Sequence, residues 1–330
     1  MAVGRFLAFY LWGLVRLPGF GHYPGPHGDI INAIAVPQTH ATGVVSAVNF
    51  EYRAFDTLGE EFILFIAATG VATVLRHLRA EHDTSAVDEA RNRDVPATSD
   101  AIQMVTLALI GPTVVVGWYL ASHAQTSPSG GFQGGIVLAT AFVLVYLAGQ
   151  FLVFKRLSPV ALTDAIEAIG AGSFAAVGLA ALAMGAAYLT NILPLGATPG
   201  AVNSAGTIAL ISFFVGVEVS AAFILIIGER VGLYGIITSR HLVHQIVCLI
   251  VVQSSTYILL LGVGYKTGAV APYFYDIPLN TPAVDPVVQA LALTDVVVEA
   301  AVTALLLAFA VQAHKRFGTL DPEELRQLQG

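Results

Sequence analysis

Apolar residues in this chain come in runs too long for the core of a soluble domain, and polar residues collect between them. Eight stretches read as membrane spans, at about 3–19, 57–77, 101–122, 131–154, 161–190, 204–229, 241–264 and 285–313. A helix needs about 20 apolar residues to cross a hydrocarbon core of about 30 Å. Residues 101–154, 168–217 and 241–265 contain no Asp, Glu, Lys or Arg, and each of the first two is long enough for two crossings. The expected fold is therefore all-α: a polytopic transmembrane helical bundle of about eight spans.

The polar intervals divide the chain. Residues 78–100 are the one clearly hydrophilic internal segment and read as a cytoplasmic linker after a two-span N-terminal piece, residues 1–77. Residues 20–56 form a long external connection, ordered from Val44 to Phe55, where a polar-apolar pattern leads into the second span. The Pro- and Tyr-rich loop 265–284 suits an interfacial cap. The N-terminus lacks a small-residue cleavage site and carries Arg16 in its flank, so it reads as a span rather than a signal peptide.

Composition agrees with the pattern: 330 residues, 56% hydrophobic, 11% charged, mean hydropathy +0.75. Soluble domains carry about 25% charged residues. The net charge of −7 sits mostly in loops and gives no reason to expect nucleic acid. Cys248 is the only cysteine, which excludes a disulfide framework or a Cys-ligated cluster within the chain. Basic residues orient the bundle. With the N-terminus cytoplasmic, Arg5, Arg76, Arg79, Arg91, Arg93, Lys155, Arg156, Arg230, Arg240, Lys315, Arg316 and Arg326 fall inside. Only Arg16, Arg53 and Lys266 fall outside, so both termini are expected in the cytoplasm of a cell (inner) membrane protein.

Candidate chemistry centres on the last span, where Asp295 and Glu299 stand four residues apart on one helix face. About 24 Å of helix separates Glu299 from Lys315, so neither acid easily reaches the far headgroups. Ionisable residues at such depth face a bundle interior or a wet cavity, as ion or proton groups or as hydrogen-bonded glue between helices. Two carboxylates so close do not both ionise easily, and one is expected to keep its proton. Glu218 lies midspan and has the same two readings. His241 and His244, at the cytoplasmic start of the seventh span, are relay candidates or plain interfacial histidines. His22, His27 and His40 have no compact metal spacing. Asp164 and Glu167 open the fifth span and read as helix caps. Gln253 and Ser254 to Thr256 either line a hydrated path or bond neighbouring helices.

Three sections resemble three components of one kind of assembly. HAQTSPSGGFQGGIVLA, His123 to Ala139, resembles the glycine signature of the B-type (MnhB) component of Mrp-type multisubunit sodium/proton antiporters, with Ser129 in place of one glycine. Its glycines suit a tight external turn and close helix approach. GTIALISFFVGVEVSAAFILI, Gly206 to Ile226, resembles the last helix of that component, Glu218 included. NFEYRAFDTLGEEFILF, Asn49 to Phe65, resembles the Asp-Phe-Arg-x-Phe-Asp-Thr-Leu-Gly-Glu element near the end of the large A-type component, with Glu51 replacing the first Asp. Here Asp56 could cap the second span with Glu60 in its first turn, or Glu60 and Glu61 could form the mouth of an ion path. Residues 232–330 are similar to the C-type antiporter component and the K-type component of complex I. The likeness runs through GLYGIITSRHLVHQIV, Gly232 to Val247, and DPVVQALALTDVVVEAAVTALLLAF from Asp285. Glu299 falls where the complex I relative has a membrane glutamate; Asp295 belongs to neither pattern, and the other membrane glutamate is missing near Ile250. Only one crossing fits between Gly206 and Arg240, where both resembling parts expect a helix.

These resemblances imply a natural fusion, with residues 101–231 as the MnhB-like domain and 232–330 as the C- or K-type domain. They imply an integral subunit of an Mrp-type cation/proton antiporter module, with protons or Na+ passing laterally over Glu218, Asp295, Glu299, Glu60, Glu61 and Asp56. Large antiporter-like subunits and other membrane subunits would be its partners within the lipid bilayer. A membrane-arm subunit of a hydrogenase-like or complex I-like enzyme, and a non-conducting scaffold, are the alternatives. The sequence contains no nucleotide loop, redox ligand set or nucleophile constellation, so no cofactor, metal or enzymatic activity of its own is expected.

Overall fold

In hydrocarbon every backbone N–H and C=O must find its partner within the protein, and the long apolar runs do this as helices. The computed structural model describes residues 2–75, 99–148, 154, 156–230 and 242–321. Its helices are α1 (Ala2–Val15), α2 (Pro26–Thr39), α3 (Val44–Ala47), α4 (Ala54–Leu75), α5 (Asp100–Ser122), α6 (Gly131–Leu147), α7 (Val160–Ala183), α8 (Thr207–Arg230), α9 (Leu242–Val263) and α10 (Pro286–Phe317). A π-helical turn, Val48–Tyr52, joins α3 to α4, closed by Arg53 N–H donating to Val48 O at 2.8 Å. Among the described residues β pairing is limited to three isolated bridges, His22 with Lys266, Gly43 with Tyr273 and Val270 with Ala283. Helix α5, α7 from Ala161, α8 to Leu225 and α10 are long and apolar enough to cross a membrane, and α6 is a shorter apolar helix. Helices α4 and α9 have 22 residues each. The chain is an all-α polytopic bundle, as expected.

Two expectations change. The first span, expected over 3–19, is a helix of 14 residues, about 21 Å long and short of the hydrocarbon thickness. Within residues 20–56, order begins well before Val44, because α2 occupies Pro26–Thr39. Its Pro26 stands in the first turn, where a missing N–H costs nothing, and Asn32, Ala35, Val36 and Thr39 bury one face at helical spacing. Pro37, inside the last turn, obscures that pattern in the sequence. Most of the linker expected at 78–100 lies outside the described residues, as does the boundary expected near 232.

The bundle closes around α4, which packs on α7, α8 and α10. Leu64, Ala67, Ala68 and Val71 of α4 share one buried cluster with Ile208, Ile211, Val215 and Val219 of α8 and with Ala301, Ala304 and Ala308 of α10. Lipid gives helices no hydrophobic reason to associate, so this association rests on close packing of small residues. The alanine stripe of α10 supplies it on one side.

The glycine segment supplies it elsewhere. A Cβ at Gly131 would lie 2.4 Å from Ser212 O, and one at Gly135 would lie 2.7 Å from Val219 Cβ, so these two glycines face α8. Gly134 faces α5, where a Cβ would lie 2.5 Å from Ala121 N. Ser129 fits the preceding turn without a left-handed backbone and bonds Ser127 through its hydroxyl at 2.8 Å.

On one side of the bundle the loops are tied to residues 40–46. Gly43 N–H donates to Gln125 O at 3.0 Å, Ser46 Oγ to Ala124 O at 2.6 Å and Val44 N–H to Pro272 O at 3.1 Å. Ser204 Oγ donates to His40 O at 2.8 Å, and Phe274 N–H to Thr42 O at 2.9 Å. The N-terminal segment thus fastens the loops of both later halves.

Gly131→Ala pushes a methyl into the backbone of α8 and is expected to cost about 1–3 kcal/mol. Thermal unfolding in detergent should show a clearly lowered Tm. Gly111→Ala on α5, where a Cβ meets nothing within 4 Å, should leave Tm unchanged or slightly raised.

Candidate functional site: a row of buried carboxyl groups

Successive residues on a helix point about 100° apart, so the adjacent acids Glu60 and Glu61 of α4 face different neighbours. Glu61 is fully buried and turns to α8, where its carboxyl group lies within hydrogen-bonding reach of that of Glu218, also fully buried. Among the described residues no hydroxyl, amide or cationic donor reaches any of these four oxygens. Two carboxyl groups bond one another only when one carries a proton, since a carboxylate only accepts. Beyond Glu218 stands Glu167 of α7, 2% exposed and in electrostatic contact with it. One turn further along α7, a Cβ on Gly170 would fall 2.6 Å from Glu218 Cβ, so the two helices touch at this acid.

Glu60, 5% exposed, turns instead to α10 and accepts from Thr294 Oγ1 at 2.5 Å. The same hydroxyl also faces Ala290 O at 3.2 Å, one turn back. One proton thus has two acceptors, a carboxyl group and a carbonyl.

This arrangement recurs twice between α9 and α10. Ser254 Oγ faces Ile250 O at 2.9 Å and Glu299 Oε1 at 3.5 Å. Thr256 Oγ1 faces Gln253 O at 2.6 Å and also bonds the carboxylate of Asp295. The polar run of α9 therefore bonds the two acids of α10. Each acid has its own hydroxyl, whereas the sequence spacing suggested a proton shared between them. Gln253 Oε1 and Thr303 Oγ1 are buried beside this run without a hydrogen-bond partner among the described residues.

The other candidates fall elsewhere. Asp56 lies in the first turn of α4 rather than capping it from outside, and pairs with Arg53 at 2.5 Å on an exposed surface. Glu60 is a full turn further along α4 and is buried, as is Glu61. His241 and the side chain of His244 lie outside the described residues. His40 serves structure, its Nδ1 bonded to Gly196 O at 2.7 Å. Asp164 and Glu167 are not caps: Pro159 holds the N-cap of α7 and the first turn contains no acid. Sequence reading missed Glu167 as a member of the row, and also Thr294. The position of Pro159 was the available signal for Glu167, because it starts the helix too early for that acid to reach the end.

Outside the spans, Glu51 of the π-helical turn is half-buried. Burial raises its carboxyl pKa, against which a bond from the Asn191 side chain lowers it. Asn191 also accepts from Thr207 N–H at 2.8 Å, fixing the start of α8.

Comparisons with known proteins match two parts of the chain that meet within α8. Residues 101–225 match the family described as a domain related to the MnhB subunit of Na+/H+ antiporter. Residues 220–330 match NADH-ubiquinone/plastoquinone oxidoreductase chain 4L. An uncharacterised protein of Methanocaldococcus jannaschii is 26% identical over 251 residues, covering 66% of this chain and 89% of that one. A probable K+/H+ antiporter A/B protein of Rhizobium meliloti is 31% identical over 124 residues, which is 33% of this chain and 12% of that protein. A chain in the structure of the membrane-bound sulfane sulfur reductase, an archaeal respiratory membrane complex, superposes with a TM-score of 0.54 at 28% identity. It covers 69% of this chain and 96% of its own length.

Because burial penalises the charged form of Glu51, Glu51→Gln is expected to raise Tm at neutral pH. A folded-state pKa above the unfolded one means wild-type stability falls as pH rises through that range. The gain over wild type should fade as pH drops below the usual carboxylate pKa, a trend thermal unfolding at several pH values would reveal.

Proposed function

We propose that this chain, a membrane subunit joining an MnhB-related domain to a chain 4L-type domain, carries protons laterally through an Mrp-like or related complex. The observation that carries the reading is the row of carboxyl groups across the bundle: Glu299 and Asp295 with their α9 hydroxyls, then Thr294, Glu60, Glu61, Glu218 and Glu167. A scaffold has no use for so many apposed acids, since each unpaired buried oxygen costs stability. A conductor needs them where a proton can pass from one to the next.

The hydroxyls suit such transfer. With Glu60 ionised, the Thr294 hydroxyl donates to it. With Glu60 protonated, Glu60 donates to Thr294, whose own proton turns to Ala290 O. The proton therefore changes sides by rotation of one bond, without moving the helices. Ser254 and Thr256 offer the same exchange to Glu299 and Asp295. Between Glu61 and Glu218 a single proton serves as the hydrogen bond and as the cargo. In this reading both termini face the cytoplasm, the large ion-translocating subunits are partners, and the chain itself is a transport subunit rather than an enzyme.

A second reading, the ion-translocating arm of a redox enzyme, draws on the likeness to a chain of a respiratory membrane complex. Purification of the tagged native complex separates the two. Co-purifying iron–sulfur or nickel proteins favour the redox arm, and antiporter subunits alone favour the stand-alone module.

The path itself is tested in the assembled complex by flux into inverted vesicles. Glu61→Gln and Glu218→Gln preserve size and hydrogen bonding but remove an exchangeable acid. Each is expected to lower flux by on the order of 10²-fold while the complex still assembles. Thr294→Val should lower flux and Thr294→Ser should restore it. Wild-type flux through an assembled Glu61→Gln complex would overturn the path and leave a scaffold.

A further inference from the structure

Between α9 and α10, toward the end of the pair away from Thr256 and Asp295, lies an apolar groove with a volume of about 540 Å³. Ile246 and Leu249 line it from α9, and Leu306, Phe309 and Ala310 from α10, with Arg316 at its end. We propose that this groove is a lipid site, holding one acyl chain of an anionic phospholipid whose headgroup is bound by Arg316. The proposal does not depend on the proton-path reading.

Four observations lead to it. The lining is apolar apart from Gln312 and Arg316, both toward one end, so most of the space is suited to hydrocarbon. Leu249 and Phe309 are 39% and 51% exposed, which opens the groove sideways toward the acyl chains of the bilayer. From Leu306 to Arg316 the groove follows about 15 Å of helix, half of a hydrocarbon core of about 30 Å, or the depth of one leaflet. Finally, its outer end is cationic. Arg316 is exposed, stacks on the ring of Phe317 at 5.7 Å, and pairs with no acidic side chain among the described residues, with exposed Lys315 beside it. A guanidinium at that depth meets lipid phosphates and binds them with a planar fork of donors.

The site also has a structural consequence. An empty cleft leaves its walls without contacts on one side, and α9 is tied most extensively to α10. A resident acyl chain completes that joint. Its deep end lies one turn from Gln253 and Thr303, so it also separates the polar run of α9 from the headgroup region on that side.

The test is mass spectrometry of lipids retained by the native complex after delipidating washes, together with a photo-crosslinking residue at Leu249 in the otherwise unaltered chain. Wild type is expected to retain an anionic phospholipid and to give a lipid adduct at Leu249. Ala310→Trp, which fills the groove, should reduce retention several-fold, and Arg316→Gln should abolish the preference for anionic over zwitterionic lipid. Leu109→Trp on the exposed face of α5 is the control, expected to change neither. Equal retention in wild type and Ala310→Trp would overturn the proposal. So would a polypeptide adduct at Leu249, which would assign the groove to a neighbouring protein of the complex.

Discussion

The structure depends on one unfavourable act, the burial of Glu61 of α4 against Glu218 of α8. Neither side chain is reached by solvent, and neither has a donor among the described residues other than the opposite carboxyl group. In an apolar bundle an isolated carboxylate costs far more than the packing around it returns. Two carboxyl groups side by side in such surroundings are tolerable only where at least one is neutral. The pair sits in the interface between α4 and α8, beside the apolar cluster that joins them. Helix α7 comes close as well, since Gly170 leaves room for the backbone of α8 beside Glu218.

Once Glu61 is committed to α8, the geometry of a helix commits Glu60 to another side. It meets Thr294 on α10, so two adjacent residues tie one helix to both later parts of the chain. The small residues of α10 and the glycines of α6 let these contacts close without voids. The hydrogen bonds of residues 40–46 hold the same three parts together at one end. A single helix of the N-terminal part is thereby the spine of a bundle whose later helices match two different family models.

Much of this was legible in the sequence. Helical runs, charge-free stretches and the glycine segment gave the class of fold and most helix positions, because hydrocarbon thickness and backbone satisfaction leave few options. The acids Glu218, Asp295 and Glu299 stood out for the same reason, as ionisable residues where none is tolerated idly, and Glu60 and Glu61 through the resemblance of their segment to an antiporter element. What was not legible is pairing. Periodicity says that Asp295 and Glu299 share a face, but not that each has its own hydroxyl on α9. Nor does it say that Glu61 and Glu218, distant in sequence, are partners. Glu167 was hidden because an acid near a helix start has an ordinary explanation, and α2 because Pro37 interrupts its pattern. These are facts of tertiary packing, which local spacing does not encode.

The overlap of two family matches on α8 has a physical consequence. The MnhB-related match ends at residue 225 and the chain 4L-type match begins at residue 220, so both include the same turn of one helix. After α8 the chain adds only α9 and α10 among the described helices, and two helices in lipid have no enclosed interior in which to hold an acid. Helix α4 packs beside α10 and contributes Glu60 as the partner of Thr294. The C-terminal part is therefore tied to a helix from the opposite end of the sequence: its Thr294 bonds Glu60, and the next residue, Glu61, faces Glu218 of the middle part. Covalent fusion suits this arrangement, because it keeps α4, α8 and α10 at the fixed proportion that a row of carboxyl groups crossing all three requires.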